Sequence, residues 1–273
     1  MRILVKIGGA QLEQPAARAS LCAAVASARA HGDEVVLVHG GGNQIRALSG
    51  QLGLTDRYHQ GLRITDEATA QAALMVLGGS VNRTLVQGLQ TAGVRAAGLT
   101  GADGGFFSAA PLRRDGADLG FVGKVDRVDA TLVEALLAAG VTPVVGTVAP
   151  RRGAPAGEPF FNINADHAAG PLCRALACEA LLFLTDVPAV LDGDGRPMPL
   201  LTDAEIDRLV ATGAASGGML PKLEAARGAA AENPRAIVKI APADAEDCVR
   251  RGLRDGVGSR FFVRVAGQEL QRG

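Results

Sequence analysis

Short runs of apolar residues alternate with longer amphipathic stretches along most of the chain. The apolar runs are rich in Val, Ile and Leu, as buried strands are, and the stretches between them repeat apolar residues with helical spacing. The predicted strands cover 3–7, 35–39, 94–99, 142–146, 180–185, 236–241 and 260–265. The predicted helices lie near 16–30, 43–52, 66–92, 129–139, 164–178, 203–212, 219–231 and 244–253. Because such strands need crossover connections, the pattern predicts an α/β fold with a mostly parallel central sheet covered on both faces.

Two segments interrupt this alternation. Residues 108–128 carry paired charges around the Gly-flanked sequence FVGKV and predict a hairpin, whereas RRGAPAGEP at 151–159 predicts an exposed loop. Neither has the composition of a linker between independent folds. The pattern restarts at the helix near Asn164, so we predict two lobes, residues 1–163 and residues 164–273.

Composition excludes several classes of protein. The chain has 273 residues, of which 48% are hydrophobic, and this is enough to bury a core and rules out disorder. Basic and acidic residues balance at 28 each, with eight Phe, one Tyr and no Trp, which argues against a nucleic-acid-binding surface. We find neither a signal peptide nor an apolar run of membrane-spanning length, and therefore expect a cytoplasmic protein. The four cysteines lack metal-ligand spacing, so we expect reduced packing residues and no metal site built from them.

Lysine is scarce in this chain. Only four of the 28 basic residues are lysines, and they are Lys6, Lys124, Lys222 and Lys239. Since arginine is used wherever any positive charge would serve, each remaining lysine is a candidate for a role that suits a compact ammonium group. Lys6 and Lys222 lie beside glycine clusters, whereas Lys124 and Lys239 are expected to take no part in the chemistry.

Glycine clusters follow the first two predicted strands. The first strand runs into Gly8 and Gly9, and the second is followed by the cluster 40–42 and then a helix. Glycine turns at the start of a helix let backbone N–H groups approach an anion, and the helix dipole adds attraction. We therefore predict one phosphate-binding crevice. The P-loop pattern and the dinucleotide fingerprint G-x-G-x-x-G are both absent, which disfavours those two classes.

A third glycine cluster, SGGMLPKLE at 216–224, precedes a predicted helix. Pro221 is expected at the first helical position and Lys222 in the first turn. A cation at the positive end of a helix dipole is unfavourable by itself, so this placement indicates that an anion binds between Lys222 and the helix N-terminus.

The segment FNINAD at 161–166 combines a strand end with a helix start. Asn164 is expected to cap the helix, and Asp166 lies in the first turn, where a carboxylate is favourable. Capping does not account for Asn162, which alternates with apolar neighbours and is therefore a candidate ligand-binding residue.

Eight segments, in order along residues 5 to about 226, resemble the amino acid kinase superfamily and, within it, the N-acetylglutamate kinases. They are VKIGGA, VHGGGNQI, GLRITDEAT, GLTGADGG, GFVGKV, FNINADHAAG, LTDVPAVL and ASGGMLPKLEAA. The resemblance implies a three-layer αβα sandwich. Its N-terminal lobe would bind the acylated amino acid and form a homodimer, and its C-terminal lobe would bind ATP.

The resemblance also implies a role for the residues that match the family's motifs. Lys6 and Lys222 would stabilise the transferring phosphoryl group, and Asp166 would orient both lysines. The turn at Gly8 and Gly9 would bind phosphate.

The remaining matches concern the two substrates. Gly41 and Gly42 would offer backbone donors to the acceptor, Arg63 would bind its α-carboxylate, and Asn162 would also contact it. The positions that match the family's nucleotide site are Thr185, Asp186, Val187, Leu191, Ala214, Ala215, Ser216, Gly218 and Met219.

The implied reaction is the ATP-dependent phosphorylation of the side-chain carboxylate of N-acetyl-L-glutamate to N-acetyl-L-glutamyl 5-phosphate, a step of arginine biosynthesis. A carboxylate with an ordinary pKa of about 4.3 is already ionised at neutral pH, so it attacks the γ-phosphorus without a general base. The enzyme must supply in-line positioning and positive charge. Mg²⁺ is expected to be held mainly through phosphates and water.

The chain departs from the family pattern in three places. IVKIAPADAED at 237–247 replaces an H-I-I-D-G-R-like strand, and Ala102 stands where lysine is common. The sequence also starts directly before the first strand, without the helix that builds the family's arginine-inhibited hexamers. We therefore expect a dimer that is insensitive to arginine.

Two alternatives stay open. One is a kinase of N-acetyl- or carrier-protein-linked 2-aminoadipate in lysine biosynthesis, whose members tend to read N-x-D-G-D and to carry extra arginines near position 63. The other is a non-catalytic amino-acid- or nucleotide-sensing protein on the same fold. Loss of Lys6, Lys222 or Asp166 would mark the second alternative, and all three are present.

Overall fold

The computed structural model of the protein describes residues 1–59, 62–215, 218–244 and 246–262. Within them the strands are β1 (Arg2–Ile7), β2 (Glu34–His39), β3 (Arg57–His59), β4 (Leu62–Ile64), β5 (Ala96–Leu99), β6 (Phe107–Pro111), β7 (Val122–Val128), β8 (Thr142–Gly146), β9 (Val148–Ala149), β10 (Phe161–Ile163), β11 (Ala180–Thr185), β12 (Leu200–Thr202), β13 (Ile237–Pro242) and β14 (Ser259–Phe262). The helices are α1 (Gly9–Glu13), α2 (Pro15–Ala30), α3 (Gly42–Gln51), α4 (Glu67–Leu74), α5 (Val81–Thr91), α6 (Thr131–Ala138), α7 (Ala165–Ala175), α8 (Asp203–Ala211), α9 (Met219–Glu232) and α10 (Cys248–Leu253). A π-helical turn, Met75–Ser80, joins α4 to α5.

The structure confirms the predicted strands and helices to within a few residues. The expected hairpin is the antiparallel pair β6 and β7, and the predicted helix at 66–92 is α4, the π-helical turn and α5 in succession. The last predicted strand is β14, and positions 263–265 of that prediction lie outside the described residues. The pattern missed α1 and several strands of two or three residues, because such short elements contain too few positions to establish a period.

The central sheet has eight strands in the order β12-β14-β13-β11-β1-β2-β8-β5. The strands from β13 to β5 are parallel to their neighbours, and β14 is antiparallel to β13. The expected mostly parallel α/β sandwich is therefore confirmed. From β1 the chain continues outward to β2 on one side, and the later strand β11 lies on the other. In such sheets ligands bind at the carboxyl ends of the strands where the order reverses, here between β1 and β11.

Strand β1 shows how the alternation of side chains builds the two outer layers. Ile3, Val5 and Ile7 belong to the core formed with α2, α5 and α10. Leu4 belongs to the core on the other face, formed with α7 and α9. Because successive side chains of a strand point to opposite faces, Lys6 lies on the same face as Leu4 and is directed toward α7.

The sheet runs through both predicted lobes. Strand β1 from the first lobe pairs in parallel with β11 from the second. The predicted boundary falls between β10 and α7, where the chain passes from a four-stranded sheet, β6-β7-β10-β9, to a helix over the central sheet. The division at residue 164 stays a prediction.

Lys239 has a structural role in the segment that departs from the family pattern. It lies on β13 with only 3% of its surface exposed. Its Nζ donates a hydrogen bond of 2.7 Å to the carbonyl oxygen of Arg254, immediately after the end of α10. A cation at a helix C-terminus is favourable because carbonyl groups there lack partners. Lys124 is exposed.

The four cysteines are buried and free, which confirms their expected role as reduced packing residues. Cys173 and Cys178 lie in the same core. Among the described residues, no helix combines the length and the apolar character needed to cross a membrane.

Helix α7 ends in a Schellman motif closed by an alanine in the left-handed conformation. The N–H of Cys178 donates to the Cys173 carbonyl at 3.0 Å, and the N–H of Ala177 donates to the Arg174 carbonyl at 3.1 Å. Ala177 has φ of 48°. This position normally holds glycine, because a Cβ in the left-handed region costs about 1–2 kcal/mol.

We predict that Ala177→Gly raises the free energy of unfolding by roughly 0.5–1 kcal/mol, since part of the relieved strain is lost to the greater freedom of unfolded glycine. In a chain of this size the melting temperature should rise by about 1–3 °C in differential scanning calorimetry. Ala175→Gly, at the exposed last position of the same helix, is the control and should lower stability. An unchanged or lower melting temperature for Ala177→Gly would contradict the prediction.

Candidate active site

A cavity of about 410 Å³ opens at the carboxyl ends of β1, β2 and β11. Its wall brings together predicted site residues from both halves of the sequence. Those that line it are Lys6, Gly8, Gly41, Gly42, Arg63, Asn162, Asp166, Thr185, Asp186 and Lys222. The predicted crevice is therefore one cavity, at the point where the strand order of the sheet reverses.

Lys6 and Asp166 form a buried ion pair in this cavity. The distance from Lys6 Nζ to Asp166 Oδ1 is 2.5 Å, and the side chains are only 5% and 13% exposed. Burial lowers the pKa of Lys6, and the Asp166 carboxylate opposes that shift. The nearby Lys222 ammonium lowers the pKa of Lys6 further. Asp166 thus opposes the loss of positive charge from a lysine in a place that water barely reaches.

Helix α7 carries Asp166 into the cavity and points its N-terminus there. Asn164 is the N-cap, and its Oδ1 accepts hydrogen bonds from Asp166 N at 2.9 Å and His167 N at 3.4 Å. The predicted cap is confirmed. Asn162, two residues earlier on β10, lies between buried neighbours and lines the cavity. One short segment therefore supplies an amide, a helix N-terminus and a carboxylate to one wall.

Lys222 reaches the cavity from the start of α9, but the helix begins earlier than predicted. Its N-cap is Gly218 and its first residue is Met219, so Pro221 occupies the third helical position rather than the first. Proline is tolerated there because the N–H groups of the first turn have no acceptor within the helix. Lys222 is the fourth residue, one turn from the helix N-terminus.

The second glycine cluster forms another wall, where α3 begins. Gly41 is the N-cap of α3, and no side chain caps this end. A methyl group added at Gly41 would lie 2.8 Å from Cδ2 of Leu77, so a larger residue would require the Leu77 side chain on the π-helical turn to shift. Among the described residues, no hydrogen bond uses the N–H groups of Gly41 or Gly42. These groups can bind an anion in the cavity.

Arg63 lies in a cluster of charged and aromatic side chains on the far wall. Its Nη1 donates to Asp56, and its Nη2 donates to the Gly42 carbonyl oxygen at 3.0 Å. Its guanidinium carbon lies 4.9 Å from the centre of the Tyr58 ring. Arg46 Nε lies 3.4 Å from the other Asp56 oxygen. Two guanidinium groups therefore face one carboxylate, and the cluster keeps a net positive charge suited to a substrate carboxylate.

The turns after β1 and β11 meet across Gln11. With its amide nitrogen toward the Gly8 carbonyl oxygen and its oxygen toward the Asp186 N–H, Gln11 makes two hydrogen bonds of 3.1 Å. The Thr185 hydroxyl donates to Asp186 at 2.9 Å. Gln11 was not predicted, since a glutamine after a glycine pair has no distinguishing pattern. It joins the predicted phosphate turn to the predicted nucleotide turn.

Gly9, in the predicted phosphate turn, is the first residue of α1. Other predicted residues among those that the structure describes lie outside the lining of this cavity. Val187 and Leu191 belong to the loop after β11, Ala214 and Ala215 pack on the core near α8, and Gly218 and Met219 begin α9. Ser216 lies outside the described residues. The nucleotide-binding role of these positions stays a prediction.

The cavity also contains residues that no sequence pattern distinguished. Leu77, Ile45, Leu62 and Val122 supply apolar surface, and the hydroxyl of Thr147 is buried in the lining without a hydrogen-bond partner. These residue types are common in any core, so only their positions distinguish them. Within the described part of the chain, no three His, Cys, Asp or Glu side chains converge to hold a metal ion.

Comparison with known proteins agrees with the geometry of the site. Residues 1–239 match the model of the amino acid kinase family. The acetylglutamate kinase of Solibacter usitatus is 41% identical over 264 residues, covering 96% of this chain and 100% of the relative.

Solved structures show the same fold. A structure of N-acetylglutamate synthase from Neisseria gonorrhoeae, complexed with coenzyme A and N-acetyl-glutamate, superposes with a TM-score of 0.81 at 23% identity, covering 95% of this chain and 59% of that one. Carbamate kinase from Giardia gives a TM-score of 0.66 at 17% identity, covering 95% and 98%. The family match over most of the chain, the close relative and the shared αβα architecture lead to one conclusion: the chain belongs to the amino acid kinase family.

Proposed function

We propose that the protein transfers the γ-phosphoryl group of ATP to the side-chain carboxylate of N-acetyl-L-glutamate. This is the reaction that the name acetylglutamate kinase implies for its relatives. The observation that carries the proposal is the placement of Lys6, Lys222 and Asp166 in one cavity whose walls include the N-termini of α3 and α7. Helix N-termini and ammonium groups attract anions, and both reactants are anionic. Two of the chain's four lysines thus lie where a phosphoryl group would pass.

The acceptor would lie between the Arg63 cluster and Lys6. Arg63 would hold the α-carboxylate, and Asn162 would contact the substrate from β10. The N–H groups of Gly41 and Gly42 would face the reacting carboxylate. That carboxylate needs no general base, so the side chains act by positioning and by neutralising charge.

Lys6 and Lys222 would stabilise the charge on the transferring phosphoryl group. Asp166 would oppose the loss of charge from the buried Lys6 and would hold its ammonium group in place. A pre-positioned cation in a site with little water stabilises developing negative charge more than the same cation in solvent. Loss of one such group typically lowers the rate by about 10²–10³-fold.

The side chains at the site fit a magnesium ion that arrives with ATP. Asp166 is paired with Lys6, and Asp186 is the exposed carboxylate at the end of β11. Mg²⁺ is commonly held by one or two carboxylates together with substrate phosphates and water, so Asp186 is the residue that would contact its coordination sphere. When bound, the ion would neutralise charge on the β- and γ-phosphates.

We also propose a cytoplasmic homodimer. Buried free thiols at all four cysteines are typical of a reducing compartment. The edge strand β5 ends the sheet in the N-terminal lobe, and Met75, half exposed in the π-helical turn, adds apolar surface to that lobe. Edge strands present backbone groups that can pair with another chain.

The substrate class is tested by ADP release with N-acetyl-L-glutamate, N-acetyl-L-aspartate and N-acetyl-L-2-aminoadipate in parallel. We expect turnover to be greatest with N-acetyl-L-glutamate, the acceptor that the name of the acetylglutamate kinase relatives implies. Turnover with the aminoadipate derivative alone would move the function to the lysine-biosynthesis alternative. Absence of turnover with all three would favour the non-catalytic alternative.

Lys222→Arg tests the phosphoryl-stabilising role. The charge is kept, but the planar guanidinium cannot take the place of a compact ammonium, so we expect kcat to fall by on the order of 10²-fold. Lys124→Arg makes the same change at an exposed position of β7 outside the cavity lining and should leave kcat unchanged. A near-wild-type rate for Lys222→Arg would show that Lys222 does not contact the transferring group.

Sedimentation equilibrium tests the assembly. Each chain has a mass of 27.8 kDa, and we expect a particle of about twice that mass across the micromolar range. Replacing exposed Met75 by Glu should shift the equilibrium toward monomers if the N-terminal lobe carries the interface. A monomer or a hexamer in the wild type would contradict the proposal.

A further inference from the structure

His39 and Asn82 form a buried hydrogen-bonded pair behind the second glycine cluster. Both residues have no exposed surface. His39 is the last residue of β2, and Asn82 lies on α5 just after the π-helical turn. Neither touches the cavity directly, and the proposed reaction gives neither a role. Their hydrogen bonds nevertheless lead to the backbone of the cavity wall.

The partners of this pair fix the proton on the imidazole. Asn82 Nδ2 lies 2.9 Å from the Val144 carbonyl oxygen, which can only accept, so this end of the amide must be the nitrogen. The same nitrogen lies 3.0 Å from His39 Nε2, which therefore accepts. His39 is then neutral with its proton on Nδ1, which donates to the Gly40 carbonyl oxygen at 3.0 Å. Burial also lowers the pKa of His39 to about 4, so the ring stays neutral near pH 7.

The bond to Gly40 sets the direction of the next amide group. In a trans peptide the C=O of one residue and the N–H of the following residue point in opposite directions. Holding the Gly40 carbonyl on His39 therefore turns the Gly41 N–H away from His39, toward the cavity. The other two carbonyls of the cluster are also held, since Gly41 O accepts from Ile45 N at 2.8 Å and Gly42 O accepts from Arg63 at 3.0 Å.

Packing leaves the pair little freedom to rearrange. A methyl group added at Gly98 would lie 1.8 Å from Asn82 Oδ1, and one added at Gly146 would lie 3.5 Å from His39 Nε2 and 2.1 Å from the Leu77 carbonyl oxygen. The surrounding strands thus come close enough to enclose both side chains. Three consecutive glycines have no such restraint of their own, because glycine adopts many backbone conformations at little cost.

We propose that Asn82 and His39 are positioning residues for the phosphoryl-transfer reaction. Asn82 selects the Nδ1–H tautomer of His39, and that tautomer holds the Gly40–Gly41 peptide with its N–H directed at the reacting groups. In the opposite tautomer Nδ1 would be an acceptor facing the Gly40 carbonyl, and the repulsion would favour a rotated peptide. A rotated peptide would present a carbonyl oxygen to two anionic substrates. For its effect on the reaction rate this inference rests on the proposed function, whereas the tautomer of His39 can be measured without it.

Asn82→Asp tests the proposal, because a carboxylate cannot donate to Nε2 and accepts from Nε2–H, which favours the opposite tautomer. We expect kcat to fall by on the order of 10–100-fold, with the KM for ATP within about threefold of wild type. This loss is smaller than that expected when an oxyanion donor is removed altogether. Gln87→Glu, which adds the same charge at an exposed position of α5, is the matched control and should leave kcat unchanged. A wild-type kcat for a folded Asn82→Asp that carries the His39 proton on Nε2 alone would overturn the proposal.

The ¹⁵N-histidine spectrum of the wild type provides a second test that does not depend on turnover. The signal of His39, assigned by its loss in His39→Gln, should show a proton on Nδ1 and none on Nε2 across pH 6–8. A proton on Nε2 would overturn the proposal even if the kinetics agreed. If the wild type fails to phosphorylate N-acetyl-L-glutamate, the proposed function fails, while this spectrum still decides the state of the pair.

Discussion

The ion pair between Lys6 and Asp166 is the contact on which the rest of the site depends. A buried ammonium group is strongly unfavourable without a partner, and here the partner comes from a helix in the other half of the chain. The pair therefore fixes the start of α7 over the end of β1. That placement also carries Asn162 and the helix N-terminus into the same cavity, so one electrostatic requirement positions three functional groups.

Close approach of backbone segments is the second constraint. The π-helical turn between α4 and α5 packs Leu77 against two glycines. The Leu77 side chain lies close to Gly41, and the Leu77 carbonyl oxygen lies where a methyl group at Gly146 would clash. This packing brings the glycine cluster at the start of α3 against the cavity. The glycines are therefore needed for two reasons: they allow strands and turns to approach, and they leave amide groups accessible to an anion.

Much of the fold follows from local patterns. The apolar runs VVLVH at 35–39 and ALLFLT at 180–185 are strands because they are buried on both faces, and parallel pairing follows from the helices between them. The start of α9 shows the limit of such reasoning. Pro221 indicated a helix start, but proline is compatible with any position of the first turn, so the pattern could not distinguish the first from the third.

The sequence by itself determined the α/β class, the glycine turns, the Asn164 cap and the two lysines that stand apart from an arginine-rich composition. Each of these is encoded within a few neighbouring residues, by period, by a cap or by a motif. Only the tertiary structure decided that Gln11 bridges Gly8 and Asp186, and that Asn82 controls His39. Gln11 and Asp186 are far apart in sequence, as are His39 and Asn82. Their hydrogen bonds depend on how the turns after β1 and β11 meet and on how closely β2, β8 and α5 pack, which no local pattern records.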